Sequence, residues 1–229
     1  MKLHLSLVAI VVAAVLALVL TFKGHRTEGF EEENRVCDGV YYETFPGFLS
    51  DEECDALIRA ALKRGLVKSQ VGSDTEDDPA KLDETARKSE QTWFAPGEHA
   101  VTDKIARKTR RLLESKKHCI GKYDFEDIQV ARYGPGGYYY HHYDADDCDD
   151  ACPRNQRLAT LMVYLKSPKR GGHTDFPLLD AKVQAVKGTA VFFWVSDPTS
   201  RKVYEKSLHA GMPVGEGEKV IANLWTRAA

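Results

Sequence analysis

The sequence predicts an α+β domain with a double-stranded β-helix (jelly-roll) core and supporting N-terminal helices, preceded by a single transmembrane helix. Three features of its 229 residues indicate this organisation: an apolar run at the start, two amphipathic helical patterns after it, and a succession of short β-rich segments in the second half. Helices followed by many short strands are typical of α+β domains built around a β-barrel or jelly roll.

The apolar run covers residues 5–22, eighteen residues without a charged side chain. As a helix it would extend ~27 Å, close to the ~30 Å hydrocarbon core of a bilayer. A cleaved signal peptide is the alternative, but the end of the run has no small-x-small cleavage pattern. We therefore expect residues 1–22 to be an uncleaved signal anchor. It would hold a single-pass protein in the membrane of the endoplasmic reticulum or secretory pathway, with the folded domain in the lumen.

A linker and one folded domain are expected after the anchor. Residues 23–35 are polar and rich in Glu, which is typical of a linker. Residues 36–229 are numerous enough for one domain with a full hydrophobic core. The net charge of −2 at pH 7 argues against a general nucleic-acid binder.

The chain has five cysteines, and none of them belongs to a CxxC pair, which argues against a zinc ribbon. Cys148 and Cys152 lie four residues apart in an acidic loop, where a disulfide would be stable in an oxidising lumen. Because the number is odd, at least one thiol stays free or pairs elsewhere. Simple burial of several thiols is the alternative.

Two helices are predicted before most of the strands. Ser50 followed by Glu53 is a capping box that predicts the start of a helix, and Gly65 predicts its end. A second helical pattern covers residues 99–115. Residues 69–88 are acidic, polar and without periodicity, so they predict a loop that is either a substrate lid or disordered.

Segments rich in β-branched and aromatic residues, separated by turns that contain Gly or Pro, predict the strands. These segments are residues 41–48, 91–94, 128–133, 138–144, 157–165, 174–176, 188–195, 203–209 and 218–226. Their number and short length are those expected of an antiparallel barrel or jelly roll.

His142, Asp144 and His209 are the candidate metal ligands in this β-rich half. Residues two apart on a strand point to the same face, so His142 and Asp144 are able to reach one metal ion. His209 would return to that ion on a distant strand. Two histidines and one carboxylate suit ferrous iron in non-haem oxygenases. Taken singly, each of these residues is more often a surface polar group or a hydrogen-bonded core histidine.

Lys219 follows His209 by ten residues, and Gly211, Gly215 and Gly217 lie between them. This glycine spacing predicts a turn that places His209 and Lys219 on neighbouring strands. A cation beside an iron site is what an anionic co-substrate would need. Taken alone, Lys219 would more often be a solvated lysine at the end of a strand.

Together these motifs resemble the prolyl 4-hydroxylase family of iron- and 2-oxoglutarate-dependent dioxygenases. The motifs that carry the resemblance are Tyr133-x-x-Gly136-x-x-Tyr139-x-x-His142-x-Asp144, residues 157–165, Gly171-Gly172-His173-Thr174-Asp175-Phe176-Pro177, Ser207-Leu208-His209-Ala210-Gly211-x-Pro213-Val214, and Gly217-x-Lys219 with Trp225. The likeness covers residues 39–225, and residues 48–54 and 87–89 resemble the family's N-terminal elements. The chain departs from the family at Gly137, where Gln is usual, and at His173, where Glu is usual.

The resemblance implies a metal centre in which His142, Asp144 and His209 hold Fe(II) and leave positions open for 2-oxoglutarate and O2. It implies ascorbate as a further cofactor. The carboxylate of Asp144 implies hydroxylation, because related halogenases lack this group so that a halide can bind the iron. His173 is expected to lie in a loop or behind the ligands rather than to bind the metal.

The resemblance also implies a site for the distal carboxylate of 2-oxoglutarate. Lys219 would pair with this carboxylate, because a buried charge needs a partner of opposite sign. Tyr133 and Thr174 are the hydroxyl groups best suited to share it, with Tyr164 as a weaker candidate.

The implied reaction is the 4-hydroxylation of peptidyl proline in proline-rich or collagen-like proteins, coupled to the oxidative decarboxylation of 2-oxoglutarate to succinate and CO2. Aromatic residues 138–140 and Trp194 are candidates for lining a groove that binds an extended peptide. Three alternatives stay open: the same chemistry on a lysyl side chain or free amino acid, a non-catalytic peptide-binding module, and a zinc or manganese protein of the cupin type. The sequence predicts no particular oligomeric state.

Overall fold

The computed structural model describes residues 36–72, 81–146, 148 and 152–229, and Val36–Ala229 make up one structural unit. The predicted anchor, residues 1–22, and the predicted linker, residues 23–35, lie outside the described residues. In the part of the chain that is described, no helix combines the length and apolarity needed to cross a bilayer.

The described residues form two α-helices, α1 and α2, and fifteen strands. The helices are α1 (Asp51–Arg64) and α2 (Ala100–Ser115), and the strands are β1 (Tyr42–Phe45), β2 (Val67–Lys68), β3 (Arg87–Lys88), β4 (Glu90–Phe94), β5 (Tyr123–Phe125), β6 (Ile128–Tyr133), β7 (Tyr138–His142), β8 (Arg157–Lys166), β9 (Arg170–Gly171), β10 (Thr174–Phe176), β11 (Ala181–Val183), β12 (Ala190–Trp194), β13 (His209–Gly211), β14 (Val214–Glu216) and β15 (Lys219–Ala228).

Two antiparallel sheets form the core. The major sheet has eight strands in the order β1-β12-β8-β15-β6-β4-β2, with β5 also paired to β15. The minor sheet has five strands in the order β11-β10-β13-β7-β3, and β14 and β9 form a separate pair. This mostly-sheet, jelly-roll-like arrangement confirms the predicted core.

The central strands β12 and β8 of the major sheet are buried on both faces, and successive residues of β8 alternate between two apolar clusters. Leu161 and Val163 belong to the cluster that contains side chains of α1 and α2. Met162 and Tyr164 belong to the cluster that contains Phe176 of the minor sheet. The helices therefore cover the outer face, and the space between the two sheets lies on the inner face.

The ends of α1 follow the predicted signals. The Ser50 hydroxyl accepts a hydrogen bond from the Glu53 N–H (3.3 Å), and the Glu53 carboxylate accepts one from the Ser50 N–H (2.9 Å), which completes the capping box. At the other end, Gly65 has φ +94° and donates its N–H to the Ala61 carbonyl (3.1 Å). This left-handed φ is accessible to glycine without strain, so the helix ends where the sequence indicates.

Residues 203–209 are not the strand that the sequence predicts. Val203 forms an isolated bridge with Ser196, and a 3-10 helix follows at Glu205–Ser207. The 3-10 helix turns the chain just before β13, so that β13 begins at His209. Local β-propensity does not reveal such a turn, because this segment lacks the Gly and Pro residues that usually mark one.

The predicted loop over residues 69–88 contains more structure than its composition indicates. β3 pairs with β7 at the edge of the minor sheet, and an isolated bridge joins Val71 to Lys81. Residues 73–80 lie outside the described part of the chain. The sequence misses β3 because a strand of two residues shows no recognisable period.

The predicted disulfide between Cys148 and Cys152 is present, and a second one joins Cys37 to Cys119. Cys54 is a free, buried thiol. The second disulfide connects residues 82 positions apart and ties the first described residues to the segment after α2. Its pairing is not readable from the sequence, because cysteine spacing does not determine connectivity.

We predict that Gly137→Ala lowers the free energy of unfolding by about 1–3 kcal/mol, as expected of overpacking. A Cβ at Gly137 would lie 2.8 Å from the Gly134 carbonyl oxygen and 2.9 Å from that of Lys88 in β3, and neither backbone group is free to move aside. Chemical denaturation measures the change. Gly121→Ala is the control, because nothing lies within 4 Å of its added Cβ. Equal stability of the two variants would contradict the prediction.

Candidate active site

Three of the predicted site residues converge at one end of the minor sheet. His142 ends β7, Asp144 lies two residues beyond it, and His209 begins β13. His142 Nε2 lies 3.6 Å from Asp144 Oδ1, and His209 Nε2 lies 3.8 Å from Asp144 Oδ2. The three ligand atoms all lie within 4.8 Å of one another, a spacing that suits a single metal ion.

A β-bulge lies beside the pair His142–His209, where it interrupts the regular alternation that the sequence predicts. His142 is opposite His209 and Tyr139 is opposite Gly211, so three steps along β7 match two steps along β13. The extra residue lets both Tyr139 and His142 face the inside, where their rings stack with centroids 3.5 Å apart. The predicted strand over residues 138–144 was too long, because β7 ends at His142 and Asp144 lies in a bend.

Hydrogen bonds behind the three residues fix their orientation. His142 Nδ1 donates to the Tyr140 carbonyl (2.7 Å) and His209 Nδ1 donates to the Ser207 carbonyl (2.9 Å). Because a carbonyl oxygen only accepts, both rings present an Nε2 lone pair to the site. Such outer contacts orient metal ligands in proteins.

Asp144 is held at both its side chain and its main chain. Its Oδ2 accepts a hydrogen bond from the Thr160 hydroxyl (2.7 Å), and its carbonyl oxygen accepts one from Arg157 Nη1 (3.0 Å). Both donors belong to β8 of the major sheet. The bend that carries Asp144 is thus fixed to the opposite sheet.

The protonation states suit metal binding. Burial, reinforced by the neighbouring His142, lowers the pKa of His209 to about 4. Burial by itself would raise the pKa of Asp144, but His209, His142 and Arg157 together outweigh it and hold that pKa well below its usual range. At neutral pH the site therefore offers a neutral His209 imidazole and an ionised carboxylate, the forms that bind a metal ion.

Lys219 is buried, with 2% of its surface exposed, at the first position of β15. Its Nζ lies 5.6 Å from the ring centroid of Tyr133 and 5.7 Å from that of Tyr164. Among the described residues, no carboxylate pairs with it, and burial lowers its pKa to about 7. A buried ammonium group without a counter-ion costs several kcal/mol, so this position is suited to an anionic ligand.

His209 and Lys219 do not lie on neighbouring strands, which corrects the sequence prediction. His209 belongs to the minor sheet and Lys219 to the major sheet. The intervening segment carries the chain through β14 from one sheet to the other. The two sheets nevertheless bring the sites together, since Lys219 Nζ lies 3.6 Å from where a Cβ on Gly211 of β13 would be.

The three predicted hydroxyl groups lie near Lys219, with different roles. Tyr133 pairs with Lys219 in the β6–β15 register, and Tyr133 and Thr174 both line the same cavity as Lys219. Tyr164 is fully buried behind Thr174, and its hydroxyl donates to Thr174 Oγ1 (2.8 Å). This bond leaves the hydroxyl hydrogen of Thr174 available to a ligand. His173 is not among the candidate ligands within the described residues.

A single cavity of about 1000 Å³ contains the metal-ligand candidates and Lys219 in its wall. Its aromatic lining consists of Trp93, Tyr133, Tyr139, Tyr143, Phe193 and Trp225. Trp194 does not line it, contrary to the prediction, because it is buried in the helix-side cluster against Phe192. Among residues 138–140 only Tyr139 lines the cavity, while the rings of the other two tyrosines contact each other at a tilt of 32°.

Sequence reasoning missed the polar residues of the cavity wall. Gln129 donates to Gln91 Oε1 (2.7 Å) and Arg87 donates to Gln129 Oε1 (3.1 Å), all three being buried. Arg157 forms a bidentate ion pair with Glu126 (2.6 and 2.8 Å). Glutamines at interior positions of otherwise apolar strands were the available signal, because a buried amide needs a partner or a ligand.

Residues 128–227 match the sequence profile of a family described as the 2OG-Fe(II) oxygenase superfamily. The chain is 34% identical over 188 residues to the "Putative prolyl 4-hydroxylase" of Acanthamoeba polyphaga mimivirus, a match that covers 78% of this chain and 71% of that protein. It is 31% identical over 189 residues to prolyl 4-hydroxylase subunit alpha-1 of Gallus gallus, covering 79% of this chain and 34% of that subunit. The chain thus spans about a third of the length of this longer relative.

Solved structures show the same similarity. A viral collagen prolyl hydroxylase from Paramecium bursaria Chlorella virus-1, in complex with 2OG, is 62% identical with a TM-score of 0.75, covering 85% of this chain and 99% of that chain. A Pseudomonas putida prolyl-4-hydroxylase is 21% identical with a TM-score of 0.59, covering 82% of this chain and 92% of that chain, and it shares the fold.

We predict that Thr160→Val weakens metal binding about tenfold, since losing a hydrogen bond to a metal-binding carboxylate typically has an effect of this size. Anaerobic titration with Fe(II), or with Mn(II) in air, measures the affinity. Thr226→Val is the matched control, because Thr226 is also buried in the major sheet and its hydroxyl has no hydrogen-bond partner among the described residues. The same metal affinity in both variants would contradict a role of Thr160 in orienting Asp144.

Proposed function

We propose that this chain, which belongs to the prolyl 4-hydroxylase family of Fe(II)- and 2-oxoglutarate-dependent oxygenases, hydroxylates proline residues of peptides. The reaction would convert 2-oxoglutarate to succinate and CO2 as the prolyl carbon gains a hydroxyl group. The family resemblance read from the motifs is confirmed by these comparisons. The observation that carries the proposal is that the His142, Asp144 and His209 cluster and Lys219 lie in the wall of one cavity, and that no carboxylate of the described residues pairs with Lys219.

His142, Asp144 and His209 would hold Fe(II) through two imidazole Nε2 atoms and one carboxylate. This donor set matches the two-histidine, one-carboxylate arrangement of non-haem Fe(II) oxygenases. When bound, Fe(II) supplies the activation of O2 that is coupled to decarboxylation of 2-oxoglutarate. The protein orients the three side chains. The hydrogen bonds that they make with the Tyr140 carbonyl, the Ser207 carbonyl and the Thr160 hydroxyl keep the metal-binding atoms directed at one point.

Lys219, Tyr133 and Thr174 would bind the distal carboxylate of 2-oxoglutarate. The ammonium group neutralises the carboxylate, and the two hydroxyl groups supply hydrogen bonds to its oxygens. Tyr164 acts indirectly, since its bond to Thr174 fixes the direction of that hydroxyl. The 2-oxoglutarate complex of the related viral enzyme supports this assignment of the co-substrate.

The rest of the cavity would receive a proline-rich peptide. Aromatic side chains such as Trp93, Tyr143 and Trp225 line it, and aromatic walls suit the polyproline II conformation. A collagen-like substrate is supported by the 62% identity to a viral collagen prolyl hydroxylase. A lysyl or free amino-acid substrate would use the same metal chemistry and is therefore an outcome of the test below.

The proposal includes the cellular location of the enzyme. Residues 1–22 would anchor the chain in a membrane of the secretory pathway, with the catalytic domain in the lumen and ascorbate as a cofactor. The disulfides Cys37–Cys119 and Cys148–Cys152 support an oxidising compartment, where such bonds form and persist.

Succinate formation with and without a proline-rich peptide tests the function, in the presence of Fe(II), ascorbate and 2-oxoglutarate. We expect peptide-stimulated succinate and a peptide heavier by one oxygen atom. His142→Ala should abolish both, whereas His141→Ala should retain them, because His141 faces away and pairs with Asp175 (3.1 Å). Succinate without peptide stimulation would redirect the substrate to another class. No succinate from folded, iron-loaded protein would contradict the oxygenase function.

We predict that 2-oxoglutarate binding takes up a proton above about pH 7 and progressively less below it. Lys219, with a pKa of about 7 in the free protein, is mostly neutral above that pH and must become charged to pair with the carboxylate. Calorimetry at about pH 8 and about pH 6, in buffers of different ionisation enthalpy, counts the protons. Lys219→Arg should bind without proton uptake, because a guanidinium stays charged. Equal uptake at both pH values would contradict the assignment.

A further inference from the structure

The loop that joins β7 to β8 forms one side of the cavity. Asp144 lies at its start, and Ala145, Asp146 and Pro153 from the same loop line the cavity wall. The disulfide between Cys148 and Cys152 lies between these two wall segments in the chain. The wall thus contains two short stretches, residues 144–146 and Pro153, and the Cys148–Cys152 disulfide connects the parts of the loop that follow the first and precede the second.

The inner part of this loop is held by Gln156, which is fully buried. Its amide nitrogen donates to the Asp146 carbonyl (2.6 Å), and its amide oxygen accepts from the Asp146 N–H (3.0 Å). Cys148 Sγ lies 3.9 Å from the same amide and 3.9 Å from the Arg201 carbonyl. The disulfide therefore sits directly against the group that fixes Asp146.

Asp144, the proposed metal ligand of the loop, is held by side chains other than Gln156. Thr160 and Arg157 hold Asp144, and both belong to β8. Arg157 is itself fixed by its ion pair with Glu126. The residues assigned to 2-oxoglutarate belong to β6, β10 and β15, so the loop contributes none of them. Among the described residues, the polar contacts of the two sulfur atoms go to Arg201, Cys148 and Gln156, and none goes to the residues assigned to the metal or to 2-oxoglutarate.

We infer that the Cys148–Cys152 disulfide is a positioning element for the peptide substrate, which sets peptide affinity by fixing the Asp146 and Pro153 wall. It does not act on the metal or on 2-oxoglutarate. This inference rests on the proposed function, because the peptide is the ligand that the wall would contact. It assigns a role to a bond that the metal and carboxylate sites do not require.

The expected size of the effect follows from the entropy of the loop. The bond keeps the Cα atoms of Cys148 and Cys152 5.0 Å apart, which limits how far the flanking residues Asp146 and Pro153 can separate. Without the bond, Asp146 and Pro153 would have to be ordered when the peptide binds. Ordering a few residues at an interface weakens binding by about tenfold.

The test compares two double variants of the full chain. Cys148→Ser with Cys152→Ser removes the proposed positioning element. Cys37→Ser with Cys119→Ser removes a disulfide that, unlike the first, has no cavity-lining residue within two positions of either cysteine. Calorimetry measures the binding of a proline-rich peptide and of 2-oxoglutarate to Mn(II)-loaded protein, and steady-state assays separate KM from kcat. Hydrogen exchange at the Asp146 N–H reports the position of the wall without any substrate.

We expect the Cys148/Cys152 variant to bind and turn over peptide with a Kd and KM about tenfold higher, with unchanged affinity for 2-oxoglutarate and faster exchange at Asp146. The Cys37/Cys119 variant should match the wild type in all of these. Unchanged peptide affinity in the first variant would overturn the inference. So would equal weakening in both variants, or a parallel loss of 2-oxoglutarate binding, since these would indicate a general loss of stability.

Failure of the proposed function gives a different result. In that case the wild type itself would neither bind nor hydroxylate the proline-rich peptide. The exchange comparison would then decide the structural part of the inference. Faster exchange at Asp146 only in the Cys148/Cys152 variant would retain the disulfide as the positioning element of the wall, and unchanged exchange would overturn it.

Discussion

The buried ammonium group of Lys219 is the constraint on which the architecture of the site depends. Removing this charge from water with no carboxylate partner among the described residues opposes folding, as its lowered pKa of about 7 indicates. The desolvated ammonium group lies between the two sheets, where they face each other. Lys219 lies close to the Tyr133 and Tyr164 rings, and β13 passes beside its Nζ. In the proposed function, the distal carboxylate of 2-oxoglutarate would pair with this ammonium group and remove the cost of its burial.

Each of the two sheets contributes some of the residues of the candidate site. The minor sheet carries His142, His209 and Thr174, whereas the major sheet carries Lys219 and Thr160. Asp144 lies in the loop between the two sheets and is bonded to the major one through Thr160. The proposed metal ligands and the proposed carboxylate ligands would therefore keep their separation only while the sheets keep their packing. α1 and α2 cover the outer face of the major sheet and stabilise this packing without entering the cavity.

Much of this organisation was predictable, because its signals are local. The capping box at Ser50, the strand Ile128–Tyr133 and the spacing of His142, Asp144 and His209 each depend on residues close in sequence or on a family motif. The same motifs predict Lys219 as the cation of the site, and this role stays a prediction.

The features that escaped prediction depend on pairing across the chain. The bulge in β7 is visible only in its register with β13, and the assignment of β15 to the major sheet is set by pairing with β6 and β8. The Cys37–Cys119 disulfide and the two hydrogen bonds between Gln156 and Asp146 also escaped prediction because they depend on such pairing. In each case the deciding contact joins segments that are far apart in the sequence, and no local pattern indicates that they lie close together.

A crystal structure grown without oxygen, with Mn(II) in place of Fe(II) and with 2-oxoglutarate, tests the central claim most directly. The account predicts the metal bound by His142, Asp144 and His209, and the distal carboxylate of 2-oxoglutarate against Lys219. A metal bound at other residues, or a carboxylate held by Arg87 instead of Lys219, would contradict it.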